Sequence, residues 1–426
     1  MMKIRNFKYL IVILLVFQFN YKNIAAQETD KKIEKINISD ALRIGQERSA
    51  EIESYTLESE YSKNLSKQSL YFDNPTFSFK RSKTSEQGFG GESINGNDFS
   101  VSQKIPFWNK REKRSDVFNK DWNTANIQTN LAKLQTAYQI YVLAYSYNAT
   151  VEKLKLSKKR LERFKLIENY IKQRTFIAPN DKARAAIVKN KIQIIEISTI
   201  NLEYEVEQLW NKLNVFLNLP KRVEITAPWF NHKDHRINFD NLLNKVLDNN
   251  LDLKKQNSLI EKARAELAVA NLEKYPDLTV SAGTINDIGS INKSQTLSGG
   301  ISFNIPLINR NQSGIAATEY KIKSEQKKYD FLKRQIEAET KNVYTAYEKA
   351  KEAISIISIN RIDENLKILK QADQDFKTGT LDFIVYLELD VGQYEVMNQA
   401  LELQTNFANQ YGKILSLIGD FNLDKI

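Results

Sequence analysis

The only residues whose type and spacing could begin a metal site are His232 and His235, which lie three positions apart. A zinc site in a protein needs three or four protein ligands, most often histidine and cysteine. The chain has no other histidine and no cysteine, so neither kind of ligand can complete the set. We therefore predict that the histidine pair belongs to a surface linker, and that the protein holds no metal and no cofactor.

The sequence also lacks the usual patterns of catalysis. It has no glycine-rich phosphate loop, no cysteine nucleophile and no histidine set suited to acid–base chemistry. We expect no enzymatic activity, so the energy for any transport must come from a partner. The 62 basic and 52 acidic residues give a mild surplus of +10, which does not indicate nucleic acid as a partner.

The first 26 residues predict export. Three basic residues precede the apolar stretch Leu10–Phe19, and Ile24-Ala25-Ala26 provides a small-residue cleavage site for a signal peptide. The apolar stretch is too short to anchor the chain in a bilayer. Because cysteine is absent, we expect neither a lipid on the mature N-terminus nor a disulfide.

The elements of the mature chain are predicted from a duplicated junction. Gln103–Arg111 and Phe303–Asn311 each end a strand-like alternation at a proline, Pro106 or Pro306, after which a long helical pattern begins; Trp108 follows the first proline. A junction that occurs twice indicates a duplicated unit. The predicted segments are a signal peptide at 1–26, a first repeat at 37–220, a linker at 221–237, a second repeat at 238–419 and a tail at 420–426.

Each repeat is predicted to contain a helix, a hairpin, a very long helix and a return helix. The first helices run from Ile38 to about Leu70, capped by Ser39 or Asp40, and from Phe239 to Lys274. The hairpins cover about 75–105, with a loop from Ser85 to Asn97, and about 276–305. Their alternation gives one apolar face and one small, polar face, which is typical of a soluble sheet and of a membrane barrel strand alike.

The long helices carry coiled-coil periodicity. One apolar stripe has alternating three- and four-residue spacing, and the second repeat has an unbroken series at every seventh position. The members are Leu131, Leu134, Tyr138, Tyr141 and Tyr145, and then Ile315, Ile322, Tyr329, Ile336, Val343, Ala350 and Ile357. The first helix predicts a rod on the order of 100 Å. We expect the second to turn at Gly379-Thr380, the counterpart of Arg174-Thr175.

The predicted fold is mainly α with a small membrane β part. After residue 26 no stretch is apolar enough for a transmembrane helix, so a membrane would have to be crossed by strands. Four strands cannot close a barrel with a useful bore, and open strand edges are not tolerated in hydrocarbon. Several chains would therefore have to contribute hairpins to one barrel, with their long helices continuing as a tube below it.

These motifs together resemble the TolC family of outer-membrane efflux proteins. The resemblance spans about residues 37–419 and rests on the two junctions, the proline-bounded hairpins and two C-terminal motifs. Those motifs are Phe376-Lys-Thr-Gly-Thr380 followed by Leu387-Glu388, and Tyr411-Gly-Lys-Ile-Leu-Ser-Leu-Ile-Gly419. It implies a homotrimer in outer-membrane lipid, with a twelve-stranded barrel and a periplasmic helical tunnel. It also implies docking on a periplasmic adaptor and on an inner-membrane pump, of the resistance-nodulation-division type for an efflux system.

The resemblance further implies a periplasmic gate near the helical turns. By distance from the turn glycine, Glu388 falls on a position of the acidic gate ring, Asp382 lies nearby, and Val385 stands where an acid is typical. Asp181 belongs to a Pro179-Asn180-Asp181 and Ala183-Arg184-Ala185 pattern similar to the cobalt-zinc-cadmium cation-efflux branch. The residues implied for adaptor contact are Arg174, Thr175, Gly379 and Thr380. The alternative for each of these charges is an ordinary solvated helix surface.

Two alternative functions remain open from the sequence. The duct could serve a type I protein secretion system instead of efflux, because the pump selects the cargo; a neighbouring gene for an ABC exporter would favour secretion. Alternatively, the chain could be a secreted, soluble coiled-coil scaffold whose hairpins pack on its own helices. That scaffold would be extracted in aqueous buffer without detergent, whereas the duct would fractionate with the outer membrane as a heat-sensitive trimer.

Overall fold

The computed structural model describes residues 35–85, 93–173, 179–228, 237–288, 293–357 and 360–421. The predicted signal peptide, Arg174, Thr175, His232 and His235 lie outside these ranges. The helices are α1 Ile38–Arg48, α2 Ala50–Gln68, α3 Lys110–Lys172, α4 Pro179–Leu217, α5 Phe239–Asn249, α6 Leu251–Leu272, α7 Gln312–Ser355, α8 Arg361–Thr378 and α9 Phe383–Ile418. The strands are β1 Lys35–Asn37, β2 Thr76–Ser85, β3 Ser93–Ile105, β4 Glu224–Thr226, β5 Leu278–Ile288 and β6 Lys293–Phe303.

The architecture confirms the predicted fold class, a mainly helical chain with a small β part. Both halves run through the same order of two shorter helices, two strands and then long helices. Among the described residues, no helix is long and apolar enough to cross a membrane.

The first helix of each half is split where the sequence predicted one continuous helix. Ser49 separates α1 from α2 and its hydroxyl accepts from the amide of Ile52, while Asn250 separates α5 from α6 and accepts from the amide of Leu253. Serine and asparagine side chains cap a new helix by replacing a missing backbone partner, so they favour a break at these positions. The predicted cap at Ser39 or Asp40 was also wrong, because Asn37 accepts from the amide of Asp40 at 2.7 Å.

The helix α3 is the longest element of the chain. Its 63 residues extend about 95 Å at about 1.5 Å per residue. Of the predicted stripe, Leu131, Leu134, Tyr141 and Tyr145 are buried, and the hydroxyl of half-buried Tyr138 donates to Asn409 on α9 at 2.9 Å. The three- and four-residue spacing therefore marks the face on which α3 packs.

The predicted unbroken heptad helix of the second half is interrupted. The helix α7 ends at Ser355 and α8 begins at Arg361, so Ile357 lies beyond the end of α7. The sequence there is rich in isoleucine and serine, which have lower helix propensity than straight-chain residues. The heptad spacing predicted the buried face correctly for Ile336, Val343 and Ala350 but not the length of the helix.

A short parallel sheet lies in the segment that the sequence predicted as a surface linker. The strand β4 pairs with β1, with Ile225 opposite Ile36, and both side chains are buried in the main core. The hydroxyl of Tyr147 on α3 donates to the carbonyl of Val223 at 3.0 Å. The expectation of an irregular surface linker is therefore wrong for residues 223–226. Through β4 the end of the first repeat pairs with its beginning.

Candidate functional site

The two predicted hairpins form one four-stranded antiparallel sheet in the order β2-β3-β5-β6. The strand β3 pairs with β5 along its length, so the first and second repeats meet in the middle of the sheet. The strand β3 begins at Ser93, which shortens the predicted loop because Gly96 and Asn97 already pair with β2. Within the described residues, β2 and β6 are the edges of the sheet.

One face of this sheet is apolar and exposed. The cross-strand register aligns its side chains in rows, such as Phe79, Phe99, Thr284 and Leu297. The exposed fractions are 65% for Phe77, 85% for Leu297 and 69% for Ile301. The other members of the face are Val101, Ile105, Leu278, Val280, Ala282 and Phe303. Exposed apolar surface of this extent marks a site of contact with a membrane or a partner.

The opposite face carries small and polar side chains. One row contains Ser78, Ser100, Gly283 and Ser298, and the hydroxyl of Ser298 donates to the carbonyl of Gly283 at 3.3 Å. Another row contains Lys80 opposite Asp98. The alternation of an apolar and a polar face fits a strand with lipid on one side and water on the other, as well as a half-buried strand of a soluble sheet.

The strand-to-helix junctions have unusual backbone conformations. Trp108 and Asn109 follow β3 with φ of 66° and 55°, and Asn311 precedes α7 with φ of 61°. A bulky residue with positive φ is strained, and such strain concentrates at functional positions. Trp108 is 57% exposed and its ring lies 5.1 Å from that of Tyr275. Pro106 and Pro306, the predicted junction residues, both follow the ends of strands.

A buried lysine at the first junction was not foreseen from the sequence. Lys110 is only 3% exposed; its ammonium donates to the carbonyl of Tyr275 at 2.6 Å and to the carboxylate of Asp277 at 2.8 Å. Lys104 reaches the second oxygen of Asp277 at 3.0 Å. Burial alone would raise the pKa of Asp277, but hydrogen bonds from the two lysines outweigh it, so the pKa is lowered. This carboxylate ties the first junction to the strand of the second repeat.

The turn between α8 and α9 is formed as predicted from its glycine. Gly379 has φ of 81° and ends α8, and the amide of Thr380 donates to the carbonyl of Asp375 at 2.9 Å. A side chain at 379 would meet nothing within 4 Å, so glycine is required there for its backbone conformation and not for space.

The three predicted gate acids do not form one cluster within the chain. Asp382 caps α9, with its carboxylate accepting from the amide of Ile384 at 2.8 Å. Asp181 lies 3.5 Å from Arg184, and its side chain is 14% exposed. Glu388 is exposed on α9 and acts on Lys191 of α4. Among the described residues, no group of three or more histidine, cysteine or acidic side chains could hold a metal ion.

Glu388 affects its surroundings through charge. Burial and the positive charge of Arg160 lower the pKa of Lys191, whereas the negative charge of Glu388 acts to raise it. Val385, at the position where an acid is typical, is 51% exposed on the same helix. Both positions are thus available at the surface of this chain.

A buried ionic cluster near the turn was missed by the sequence analysis. Asp390 on α9 is fully buried and contacts both Arg160 and Arg163 of α3, the first through its Nε at 2.9 Å. Arg163 also lies 3.7 Å from Asp373 on α8, which accepts from the hydroxyl of Tyr386 at 2.8 Å. Burial raises the pKa of Asp373, opposed by Arg163 and Tyr386, and burial lowers the pKa of Arg163.

The cluster joins three helices with two arginines and two aspartates. The signal that could have indicated it is the spacing of Arg160 and Arg163, three residues apart on one face of α3. Their partners come from two other helices, and the sequence does not show which acids those are.

The helices form two layers along the length of the molecule, one next to the sheet and one toward the turns. As in the sheet, each layer has a first-repeat element at one edge and a second-repeat element at the other. Next to the sheet the order of packing is α2-α3-α6-α7, and toward the turns it is α4-α3-α9-α8. One side of the molecule therefore has β2, α2 and α4 at its edge, all from the first repeat. The other side has β6, α7 and α8, all from the second repeat.

Side-chain contacts show which positions of the outer helices lie at one level. Lys63 of α2 lies over the ring of Trp122 of α3, and the neighbouring Asp121 pairs with Lys262 of α6 at 2.6 Å. Glu266 of α6 in turn pairs with Lys321 of α7 at 2.5 Å. Two tyrosines next to this line of contacts, Tyr61 on α2 and Tyr320 on α7, are 65% and 70% exposed.

Comparison with known proteins identifies the fold. The family model described as outer membrane efflux protein matches residues 242–420, which lie almost entirely within the predicted second repeat at 238–419. No curated protein sequence matches the chain. Among solved structures, one of CusC, described as showing conformational changes on folding and transmembrane channel formation, has a TM-score of 0.70 at 10% identity, covering 90% of this chain and 92% of that chain.

Two further structures are channels of named bacteria. The open state of the Neisseria gonorrhoeae MtrE outer membrane channel has a TM-score of 0.68 at 14% identity, covering 90% of this chain and 89% of that chain. The Campylobacter jejuni CmeC outer membrane channel has a TM-score of 0.68 at 12% identity, covering 90% and 85%. The chain thus has the fold of these channels.

Proposed function

We propose that this chain is one subunit of a trimeric outer-membrane efflux channel, a passive exit duct for small solutes or metal cations. The proposal rests on the two sides of the chain where the sheet and the helix layers end, which we call its open sides. The sheet and both helix layers end in first-repeat elements on one side and in second-repeat elements on the other. When two different sides of a chain fit each other, copies join head to tail. They form a closed ring if the rotation from one copy to the next divides a full turn evenly.

The width of a barrel sets the smallest number of subunits that can enclose a passage. Four strands from one chain cannot close, and about eight strands give a barrel whose interior is filled by side chains. Two copies would therefore leave no passage, whereas three copies supply twelve strands. Closure also removes the open edges of β2 and β6, which hydrocarbon does not tolerate.

The two faces of the sheet support this placement. In a closed ring, the exposed row of Phe79, Phe99 and Leu297 would face lipid and the serine-rich row of Ser78 and Ser298 would line the bore. The soluble-scaffold alternative requires the apolar face to pack on the helices of the same chain. The exposure of Leu297 and Ile301 argues against that packing.

The helices then form the wall of a periplasmic tunnel. An N-terminal signal peptide without lipid attachment fits export across the inner membrane. The turn at Gly379-Thr380, with Arg174 and Thr175 as its predicted counterpart, would contact a periplasmic adaptor, and an inner-membrane pump of the resistance-nodulation-division type would supply the energy. Efflux is favoured over protein secretion because the matching family model is that of efflux proteins.

The gate of the proposed tunnel would lie near the turns. Three copies of exposed Glu388 around a three-fold axis would repel one another and attract cations. Asp382 and Asp181 contribute less to such a ring in this proposal, because one caps a helix and the other faces Arg184. The cation-efflux branch rests on the Asp181 pattern alone, so the pump and not this chain would select between metal cations and other solutes.

The test of the proposal is a cross-link between the two open sides. Tyr61→Cys on α2 and Tyr320→Cys on α7 introduce the only two thiols of the chain, since it has no cysteine of its own. The two positions lie at one level on opposite edges, and packed helix axes are about 8–10 Å apart. A short bis-maleimide should therefore link neighbouring copies into a covalent trimer on a denaturing gel.

Control variants distinguish a specific contact between the two open sides from random cross-linking. Each single variant should yield no ring, and Tyr61→Cys with Ile384→Cys, which lies equally exposed near the turns, should yield none either. A product that stops at the dimer would contradict three-fold closure. Failure of the double variant to link copies at all, in protein extracted from membranes, would refute the head-to-tail contact.

A further inference from the structure

Exposed aromatic side chains continue beyond the apolar face of the sheet into the segments that join it to the helices. Tyr71 and Phe72 precede β2 and are 74% and 52% exposed, and Phe107 and Trp108 follow β3 at 46% and 57%. Within the described residues no element covers them. Aromatic side chains at this level are typical of the boundary between hydrocarbon and lipid headgroups.

Two cations lie directly on this aromatic surface. The guanidinium of Arg111 is 3.6 Å from the centre of the Phe72 ring and donates to the carbonyl of Leu70 at 2.9 Å. The ammonium of Lys274 is 5.3 Å from the centre of the Tyr275 ring. Such contacts hold a positive charge beside an apolar surface at a fixed height.

The charge of the two junctions is very different. Residues 104–114 contain five basic side chains and one acidic one, whereas the equivalent residues 304–314 contain a single arginine, Arg310. Of the five, Lys104 and Lys110 share Asp277, and Arg114 pairs with Glu273 at 2.8 Å. Arg111 lies 4.0 Å from the carboxylate of Glu112, and Arg111 and the exposed Lys113 add positive charge to the junction.

We propose that the first junction binds anionic phospholipid headgroups through Arg111, Lys113 and Lys274, with Trp108 in the interface beside them. The inference rests on the proposed membrane insertion of the sheet. The ligand is an anionic phospholipid of the leaflet that meets the helical side of the sheet, because the exposed rings and the cations of the first junction occur together at that end. Charge complementarity selects the anionic lipid over a zwitterionic one.

The site belongs to the first junction, where Lys274 of the second repeat lies beside first-repeat residues, and it has no equivalent at the second junction among the described residues. The second junction has Leu307 and Ile308 in place of Phe107 and Trp108, and these are 70% and 95% exposed. Arg310 is the single basic residue of positions 304–314. In a ring of three copies, three anionic-lipid sites would alternate with three aliphatic contacts. The two junctions provide a control within one molecule.

The experiment measures quenching of Trp108 fluorescence by brominated lipids. The full-length protein is reconstituted in vesicles that contain brominated phosphatidylglycerol or brominated phosphatidylcholine, and the Trp108 signal is the difference between the wild type and Trp108→Phe. We expect roughly a hundredfold preference for phosphatidylglycerol, because three interfacial cations at about 1 kcal/mol each correspond to about two factors of ten. Added salt should reduce the preference, because it screens exposed charges.

The variants separate this site from general membrane contact. Arg111→Gln/Lys113→Gln/Lys274→Gln should bring the two lipids close to equality, whereas Arg310→Gln at the second junction should leave the preference unchanged. Equal quenching by both lipids in the wild type, or an unchanged preference in the triple variant, would overturn the lipid site and leave the channel intact. Quenching by neither lipid would instead contradict the membrane insertion on which the inference rests.

Discussion

The ionic cluster of Asp390 with Arg160 and Arg163 predicts a large local effect of one isosteric substitution. Asp390→Asn keeps the shape of the side chain and removes its charge, which leaves two guanidinium groups in a site where their side chains are 14% and 13% exposed. Removing one partner of a buried ion pair costs about 3–5 kcal/mol because the other charge remains buried and unpaired. Asp373 still lies 3.7 Å from Arg163, so we expect the lower end, about 3 kcal/mol.

Hydrogen–deuterium exchange measures this loss of stability in the part of α9 that contains Asp390. The backbone amides of Phe383–Met397 on α9 should exchange through local opening roughly 100-fold faster in Asp390→Asn, since about 1.4 kcal/mol corresponds to a factor of ten. Adding Arg160→Met to the same chain should restore part of the protection, because only one arginine then lacks its partner.

The control is an exposed ion pair between the same two helices. Lys153 of α3 and Glu402 of α9 lie 2.7 Å apart, with Glu402 65% exposed. Glu402→Gln should change stability by less than about 1 kcal/mol, as for most surface pairs. Equal exchange rates in Asp390→Asn and Glu402→Gln would show that burial of the cluster does not contribute as we argue.

Three further predictions concern the turn, the gate and the junction. Gly379→Ala should lower stability by about 1 kcal/mol because the backbone φ at this position is 81°. Gly392→Ala, at an exposed position within α9, should raise stability by a similar amount. Thermal melts followed by circular dichroism at 222 nm measure both changes, and two shifts of the same sign would contradict the prediction. Glu388→Ala should raise leak conductance in planar bilayers and weaken block by multivalent cations, and unchanged conductance and block would remove Glu388 from the gate. The pKa of Asp277 is lowered in the folded protein, so its ion pairs stabilise the fold at pH values above the ordinary pKa of 3.8. This stabilisation is lost as the pH falls through the lower pKa of the folded state. The melting temperature should therefore fall more steeply below about pH 4 in the wild type than in Asp277→Asn, and parallel curves would contradict the assignment.

The parts of the fold that could be predicted are those with a local periodic signal. The two-residue alternation of the hairpins and the three- and four-residue spacing around Leu131 and Tyr141 depend on which face a side chain occupies. The strand register places the hairpin residues on two faces as predicted, and Leu131 and Tyr141 are buried. The turn at Gly379 was also predictable, because few residues other than glycine adopt a positive φ without strain.

The parts that could not be predicted depend on partners far apart in the sequence. Ile36 and Ile225 lie on either side of the whole predicted first repeat, and nothing in a three-residue strand indicates its partner. Asp390 and Arg160 come from different halves of the chain, so a buried acid could not be distinguished from the exposed Glu388 nearby. The left-handed conformation of Trp108 is set by its tertiary surroundings, since tryptophan has no intrinsic preference for it.

The central claim is that three copies combine their sheets to form one pore in a membrane. The most direct measurement is native mass spectrometry of the full-length protein extracted from outer membranes in detergent. We predict a complex of three chains that survives mild detergent and separates on heating. A single chain recovered in the aqueous fraction without detergent, or a stable pair in the membrane fraction, would contradict the claim.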